Sequence, residues 1–259
     1  MTDALIQVLR EGDVCTVTLN RELKLNCLTS EMLDKLETLA RAIDSDRALR
    51  VVVLTGSGTR AFCVGADINE WATLEPMDMW RRWVKRGHQV FDQWARLRQP
   101  VIAAINGHAF GGGLELAITA DIRISAHSAE FALPEASIAT CPGWSGTQRM
   151  VRLIGASHAK YLALSGQRIS AAQALQYGLV HEVVDADGLL ARAEALAREI
   201  ASKAPISAQL TKQLVNAACG EDRDATLEAM AGALAAGTED ALEGTRSFKE
   251  KRVAVYRGQ

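Results

Sequence analysis

Two runs, RVVVLT at 50–55 and PVIAAI at 100–105, offer no polar face to water. Side chains alternate between the two faces of a strand, so a run that stays apolar at successive positions must be covered on both sides. Within one chain that cover comes from helices, and the arrangement supplying it is a mostly parallel sheet in an α/β fold. The surrounding sequence agrees. Residues 13–19 (DVCTVTL) alternate as a strand, and 30–44 set Leu33, Leu36, Leu39 and Ala42 at helical spacing behind Ser30, the expected N-cap. A second helix is expected over 78–97, with Trp80, Val84, Phe91 and Trp94, and short strands at 121–126 and 129–133 are close enough for a turn-linked pair. Past residue 146 helices dominate, at 187–203, 205–218, 222–236 and 238–252, with Gly and Pro mainly at the joints. No internal repeat or low-complexity linker interrupts the chain.

Composition removes several classes of function. With 259 residues, 48% hydrophobic, and a formal net charge of −2, the chain can bury a sizeable core and is not disordered. It lacks the surplus of Lys and Arg that a nucleic-acid or anionic-membrane binder needs. Cys15, Cys27, Cys63, Cys141 and Cys219 are odd in number and widely spaced, without a C-x-x-C, so a reducing, cytoplasmic setting is expected rather than disulfides or zinc. The opening residues lack a signal-peptide pattern. Residues 101–120 look superficially like a membrane span, yet they carry Asn106, His108 and Glu115 around three consecutive glycines, so a soluble protein is expected.

Familiar site motifs mostly fail. Gly56-Ser-Gly58-Thr-Arg-Ala61 imitates a dinucleotide fingerprint, but Phe62-Cys63-Val64-Gly65 follows where a helix must open. Gly143-Trp144-Ser145-Gly146-Thr147 lacks the last glycine of a nucleophile elbow, and there is neither a P-loop nor an H-E-x-x-H. Three segments remain. Ala61-Phe-Cys-Val-Gly65-Ala66-Asp67-Ile68 is a small-residue turn after a buried strand. Gly107 to Glu115 passes from strand through Gly111-Gly112-Gly113 into a helix-forming run. Phe131-Ala-Leu-Pro134-Glu135 sets a carboxylate beyond a short strand. Glycines let a ligand approach the backbone, and N–H groups at a helix start are unsatisfied, so these turns suit a developing oxyanion. Taken singly, Glu115 also fits an acid complementing a helix dipole, and Glu135 an exposed loop acid.

Together these segments resemble the enoyl-CoA hydratase/isomerase (crotonase) superfamily nearly end to end. The resemblance is carried by Leu19-Asn20-Arg21, Lys24-Leu25-Asn26-Cys27-Leu28, AFCVGADI at 61–68, NGHAFGGGLELA at 106–117, Pro134-Glu135, Pro142-Gly143 and Gly146-Thr147-Gln148-Arg149. It continues through Ala171-Ala172-Gln173-Ala174, Gly178-Leu179-Val180, Thr238-Glu239-Asp240 and Phe248-Lys249-Glu250-Lys251-Arg252. It implies a spiral of ββα units over 1–200 and a C-terminal helical trimerisation region over 201–259, often in a dimer of trimers. It also implies an acyl-CoA thioester substrate, an oxyanion hole from the N–H groups of Ala66 and Gly112, and catalytic carboxylates at Glu115 and Glu135. Substrate contacts then fall on Lys24, Asn26, Cys27, Ala61, Gly65, Asp67, Ile68, Gly111, Pro134, Pro142, Gly143 and Trp144, with Phe248 and Lys251 near the C-terminus.

The reaction implied is reversible syn addition of water to a 2-trans-enoyl-CoA, giving a 3-hydroxyacyl-CoA. Coenzyme A is part of the substrate, and neither metal nor further cofactor is expected. Glu115 is expected to orient and activate water, and Glu135 to exchange a proton at carbon 2. A double-bond isomerase using Glu135 alone, a specialised acyl-CoA dehydratase, and a non-catalytic CoA-ligand or RNA-binding protein remain open at this level. Trp144 stands where relatives often carry a small residue, so the pocket beside Glu135 is expected to be narrowed or reshaped. Cys63 and Cys141 read as packing residues, as do Trp71, Trp80 and Trp83 on a helix face.

Overall fold

The computed structural model describes residues 4–259. The chain opens with strands β1 (Ile6–Glu11) and β2 (Val14–Leu19), then helix α1 (Ser30–Ser45). Strands β3 (Val51–Gly56) and β4 (Ala61–Cys63) precede α2 (Ile68–Trp71), α3 (Pro76–Asp78) and α4 (Lys85–Ala95). Next come β5 (Val101–Ile105), β6 (His108–Phe110) and α5 (Gly112–Ala117), then β7 (Ile122–Ala126), β8 (Glu130–Ala132) and α6 (Gly146–Ser165). The chain continues through β9 (Ile169–Ser170), α7 (Ala171–Gln176), β10 (Glu182–Val184) and α8 (Leu189–Ala201). It closes with α9 (Pro205–Ala218), α10 (Arg223–Ala236) and α11 (Glu239–Glu250).

Two sheets share these strands. One has the order β1-β2-β3-β5-β7-β10 and the other β4-β6-β8-β9. Each successive strand pair (β3 with β4, β5 with β6, β7 with β8) sends its first member to the large sheet and its second to the small one. Repetition of that step with intervening helices is a spiral of ββα units. It also corrects one expectation: β7 and β8 follow each other closely but do not pair, because β7 lies between β5 and β10 while β8 lies between β6 and β9.

The two apolar runs behave as their composition requires. Val52 and Leu54 of β3, with Val101, Ala103 and Ile105 of β5, enter one core; Val51, Val53, Ile102 and Ala104 enter a second. The second core is closed by Leu189, Ala193, Ala197 and Ala201 of α8, whose small residues four apart let the helix lie close on the sheet. The first holds Phe62, Phe91, Trp94 and Phe131, all fully buried. Helix α1 starts one residue earlier than read: Thr29 is the N-cap, its side chain accepting from the Met32 N–H, while Ser30 binds Glu70 through its N–H and hydroxyl. The single helix expected over 78–97 is three pieces, with a π-helical segment, Met79–Val84, between α3 and α4. Widened turns of this kind often mark functional sites.

The chain divides into two compact units, one ending at Gln209 and the other Leu210–Gln259, so the division lies inside α9, beyond the expected 200/201 boundary. Among the described residues no helix is long and apolar enough to cross a membrane. Residues 101–120 are instead β5, β6 and α5.

Backbone contacts leave no room for a side chain at Gly113. A Cβ on Gly113 would lie 2.0 Å from the Cys63 carbonyl oxygen, where α5 rests on β4, whereas one on Gly232 in α10 meets nothing within 4 Å. Gly113→Ala should lower unfolding stability by about 1–3 kcal/mol or more, as overpacking does. Gly232→Ala should raise it by about 0.5–1 kcal/mol through helix propensity. The urea midpoints of the two variants check both signs.

Candidate active site

Strand β6 pairs in parallel with β4 on one side and β8 on the other. Parallel strands end at the same edge of a sheet, and ligands collect outside such carboxyl ends. The segments leaving the three strands are therefore neighbours: Val64-Gly65-Ala66, Gly111-Gly112 with the first turn of α5, and Pro134-Glu135. They surround a cavity of about 110 Å³, completed by Trp71, Met79, Trp83, Val84, Ile138, Thr140, Cys141, Gly143, Trp144 and Glu115.

Two backbone donors point into this region. Ala66 bridges in parallel to Leu28: Gly65 O accepts from the Leu28 N–H at 2.8 Å and the Asp67 N–H donates back to Leu28 O at 2.8 Å. Those bonds face one way, which turns the Ala66 N–H to the other. Gly112 is the first residue of α5, where an N–H has no acceptor within the helix. The two lie close together, since a Cβ on Gly112 would sit 3.6 Å from Ala66 N and one on Gly65 3.3 Å from Gly112 N. Gly111 makes the turn at φ 50° and ψ −127°, a conformation for glycine, and a Cβ there would meet Glu135 Oε1 at 2.8 Å.

Both carboxylates are buried, Glu115 at 3% and Glu135 at 8% exposure. Glu115 Oε1 accepts N–H bonds from Trp144 at 2.9 Å and Gly146 at 2.8 Å. The residue between those donors, Ser145, is left-handed at φ 75°, and that geometry aims both N–H groups at one oxygen. Ser145 is held in turn: its hydroxyl donates to Asp92 at 3.0 Å, and buried Arg149 donates to the same oxygen at 2.8 Å. Burial works against the Asp92 charge, but Arg149 and then Ser145 hold its carboxyl below the usual range. Glu135 starts a 3₁₀ turn, Glu135–Ile138, and its buried Oε2 takes no hydrogen bond among the described residues.

Burial, with the Glu135 charge second, pushes Glu115 up to about 7 against the pull of its N–H donors. Burial likewise raises Glu135. Two like charges in one dry site ionise in steps, and the pair keeps a proton near neutrality. Glu115, with its two N–H donors, and Glu135, with none on Oε2, share that proton as a pair.

The remaining expected residues divide clearly. Gly65, Ala66, Gly111, Gly112, Pro134, Gly143 and Trp144 line the cavity with the two acids, whereas Lys24, Asn26, Cys27, Ala61, Asp67, Ile68 and Pro142 do not. Asn26 is fully buried, accepting from the Arg21 N–H and donating to the Ser57 and Ala61 carbonyls. Asp67 pairs with Arg21 at 2.7 Å, and that guanidinium also reaches the Cys27 sulfur. Lys24 and Ile68 are exposed and Ala61 lies buried in β4. Phe248 and Lys251 belong to the second unit and are exposed.

Cys63 packs in the core, its thiol pushed up to about 12 by burial, but Cys141 is exposed at the cavity and is not a packing residue. Trp80 is 66% exposed, whereas Trp71 and Trp83 line the cavity. Met79, Ile138 and Thr140 carried no signal in the sequence, and Val84 read only as a helix-face position. Among the described residues no cluster of three or more His, Cys, Asp or Glu is placed to hold a metal ion.

The family profile described as enoyl-CoA hydratase/isomerase matches residues 10–259, and the chain belongs to that family of enzymes. Among its relatives, the short-chain-enoyl-CoA hydratase of Clostridium acetobutylicum is 39% identical over 245 residues, covering 94% of each chain. The (E)-benzylidenesuccinyl-CoA hydratase of Thauera aromatica is 38% identical over 249 residues, covering 95% of this chain and 96% of the relative. The crystal structure of an enoyl-CoA hydratase from Bacillus anthracis superposes with a TM-score of 0.82 at 40% identity, covering 99% of this chain and 100% of that one.

A proton kept to about pH 7 by the folded acid pair leaves an unfolded carboxyl near 4.5. Below pH 4.5 both states hold it, and between there and about 7 unfolding releases it, so stability falls as pH rises. The loss reaches about 3 kcal/mol at 1.36 kcal/mol per pH unit. Denaturant unfolding of wild type and the double variant Glu115→Gln, Glu135→Gln should show wild type losing this much relative to the variant from pH 4.5 to 8. Parallel curves would show that the pair does not hold the proton.

Proposed function

We propose that this protein catalyses reversible hydration of a 2-trans-enoyl-CoA to a 3-hydroxyacyl-CoA. The observation that carries the proposal is the convergence of Glu115 and Glu135 on one cavity with the N–H groups of Ala66 and Gly112. Carbon 3 of the conjugated thioester is electrophilic only to the extent that charge can pass to the thioester oxygen. Two fixed N–H donors receive that charge without rearranging, and one such donor is worth about 2.7–4 kcal/mol in a working site. Glu115, fixed by Trp144 and Gly146, takes a proton from water as its oxygen bonds to carbon 3. Glu135 delivers its proton to carbon 2, so the water is added in full and the acid pair ends with one proton, as it began. This chemistry asks for no group beyond the coenzyme A carried by the substrate.

We also propose a cytoplasmic homo-oligomer, a trimer or dimer of trimers. The second unit supports an oligomer by exposing Leu214, Val215, Leu227, Leu234, Leu242, Phe248 and Val253.

Purified protein with crotonyl-CoA should yield a product heavier by one water as the enone absorbance disappears. Glu115→Gln and Glu135→Gln should each lower kcat by at least about 100-fold, the scale of a general acid or base. An unchanged mass with crotonyl-CoA, together with conversion of a 3-enoyl-CoA to its conjugated isomer that only Glu135→Gln abolishes, would replace hydration by isomerisation.

A further inference from the structure

The cavity is small, and Trp144 is one of the large side chains that line it. Drug-sized ligand pockets run to roughly 300–1,000 Å³, against about 110 Å³ here. Trp144, which stands directly after Gly143 at the end of this cavity, is 3% exposed. Its ring meets Phe91 edge-on at 5.3 Å and Trp83 at 5.4 Å with a 50° tilt. On α4 the residue beneath the ring is Gly87, where a Cβ would lie 2.1 Å from the indole nitrogen. On the other side a Cβ on Gly112 would lie 3.0 Å from the ring. The indole therefore occupies a slot between α4 and the start of α5 that exists because two glycines have no side chains. Phe91 is fully buried, so the ring cannot turn away without displacing core.

We infer that Trp144, seated over Gly87, closes the acyl end of the cavity and limits the substrate to short, straight acyl groups. The inference rests on the acyl-CoA reading above. The polar end of the cavity fixes the thioester oxygen and carbons 2 and 3 between the N–H donors and the acids. Only the space beyond carbon 3 is left for a tail, and it ends on the indole. In an open apolar channel each added methylene strengthens binding severalfold. Against a closed wall the same methylene has to displace packed side chains, and the trend inverts.

The test uses two readouts on the intact protein. Binding of butyryl-, hexanoyl- and octanoyl-CoA, which have no double bond to hydrate, is measured by calorimetry; kcat/KM is measured for crotonyl-, 2-hexenoyl- and 2-octenoyl-CoA. Wild type should bind octanoyl-CoA at least tenfold more weakly than butyryl-CoA, with a matching fall in kcat/KM. Trp144→Ala should raise the octanoyl-to-butyryl binding ratio at least tenfold. Trp144→Leu, which keeps an apolar side chain in the slot, should raise it in the same direction should the alanine variant not fold. Wild-type affinity that is level or rises with chain length overturns the inference, as does an unchanged ratio in a folded Trp144 variant. Length-dependent binding without hydration of any enoyl-CoA would sink the hydratase reading and leave the chain-length limit standing. Absence of binding by all three thioesters would overturn both.

Discussion

Keeping two carboxylates beside each other out of water is the costliest arrangement in this molecule, and much of the local structure is organised around it. A buried charge without partners is driven to neutralise, and two like charges cannot both persist in a dry site. The protein meets this unevenly. Glu115 is given two backbone donors on one oxygen, fixed by the left-handed Ser145 and the Asp92–Arg149 pair behind it. Glu135 Oε2 is given none. Chemically equivalent side chains thereby acquire different surroundings: one carboxylate fixed by two backbone donors, and one whose Oε2 takes no hydrogen bond among the described residues. The asymmetry comes from the backbone, so it depends on loop conformation more than on neighbouring side chains.

The same economy explains where glycine is required. A side chain on Gly146 would meet Glu115 Oε1 at 2.4 Å, and one on Gly111 would meet Glu135 Oε1 at 2.8 Å. Both positions are bare because a carboxylate occupies the space a Cβ would take. The N–H groups of Ala66 and Gly112 at the cavity are likewise placed by the geometry of three short parallel strands ending together. Reactive parts of the site therefore rest on main-chain path, while Trp71, Met79, Trp83, Val84 and Trp144 supply walls without chemistry of their own. Such a division lets a fold alter what it accepts while its reaction machinery stays in place.

What the sequence disclosed follows the same line. Strands buried on both faces were legible from composition, since β3 and β5 have no polar position to hide, and their residues divide between the two cores as alternation demands. The helices after residue 185 were legible from helix-forming composition, with Gly and Pro mainly at the joints. Strands β4, β6 and β8, which assemble the site, have three residues each, too few to show any period. Pairing between β7 and β8 was a reasonable local reading overturned by partners far away in the chain: Ile102 to Ile105 claim β7, and Ala109 and Phe110 claim β8. Glu115 and Glu135 were identifiable from the family resemblance, but their burial and unequal hydrogen bonding were not. Nor was Asn26 recognisable as a clamp, because a buried amide joining three backbone segments looks in sequence like any loop asparagine.

Trp144 shows how a departure from a family pattern becomes interpretable only with its surroundings. Read alone, a tryptophan after Pro142-Gly143 says that the pocket is narrowed or reshaped, without saying which. The structure supplies the compensating absence on α4: Gly87 lies under the ring, in the interior of a helix, where glycine costs about 1 kcal/mol relative to alanine. A helix that accepts such a cost needs a packing reason, and the indole is that reason. Large and missing side chains here form one feature with two sequence positions, which also reaches Gly112 at the start of α5, where a Cβ would lie 3.0 Å from the same ring. The wall of the cavity and the first residue of α5 thus adjoin, so a change in the bulk of the wall reaches the main chain beside Ala66 and Glu115.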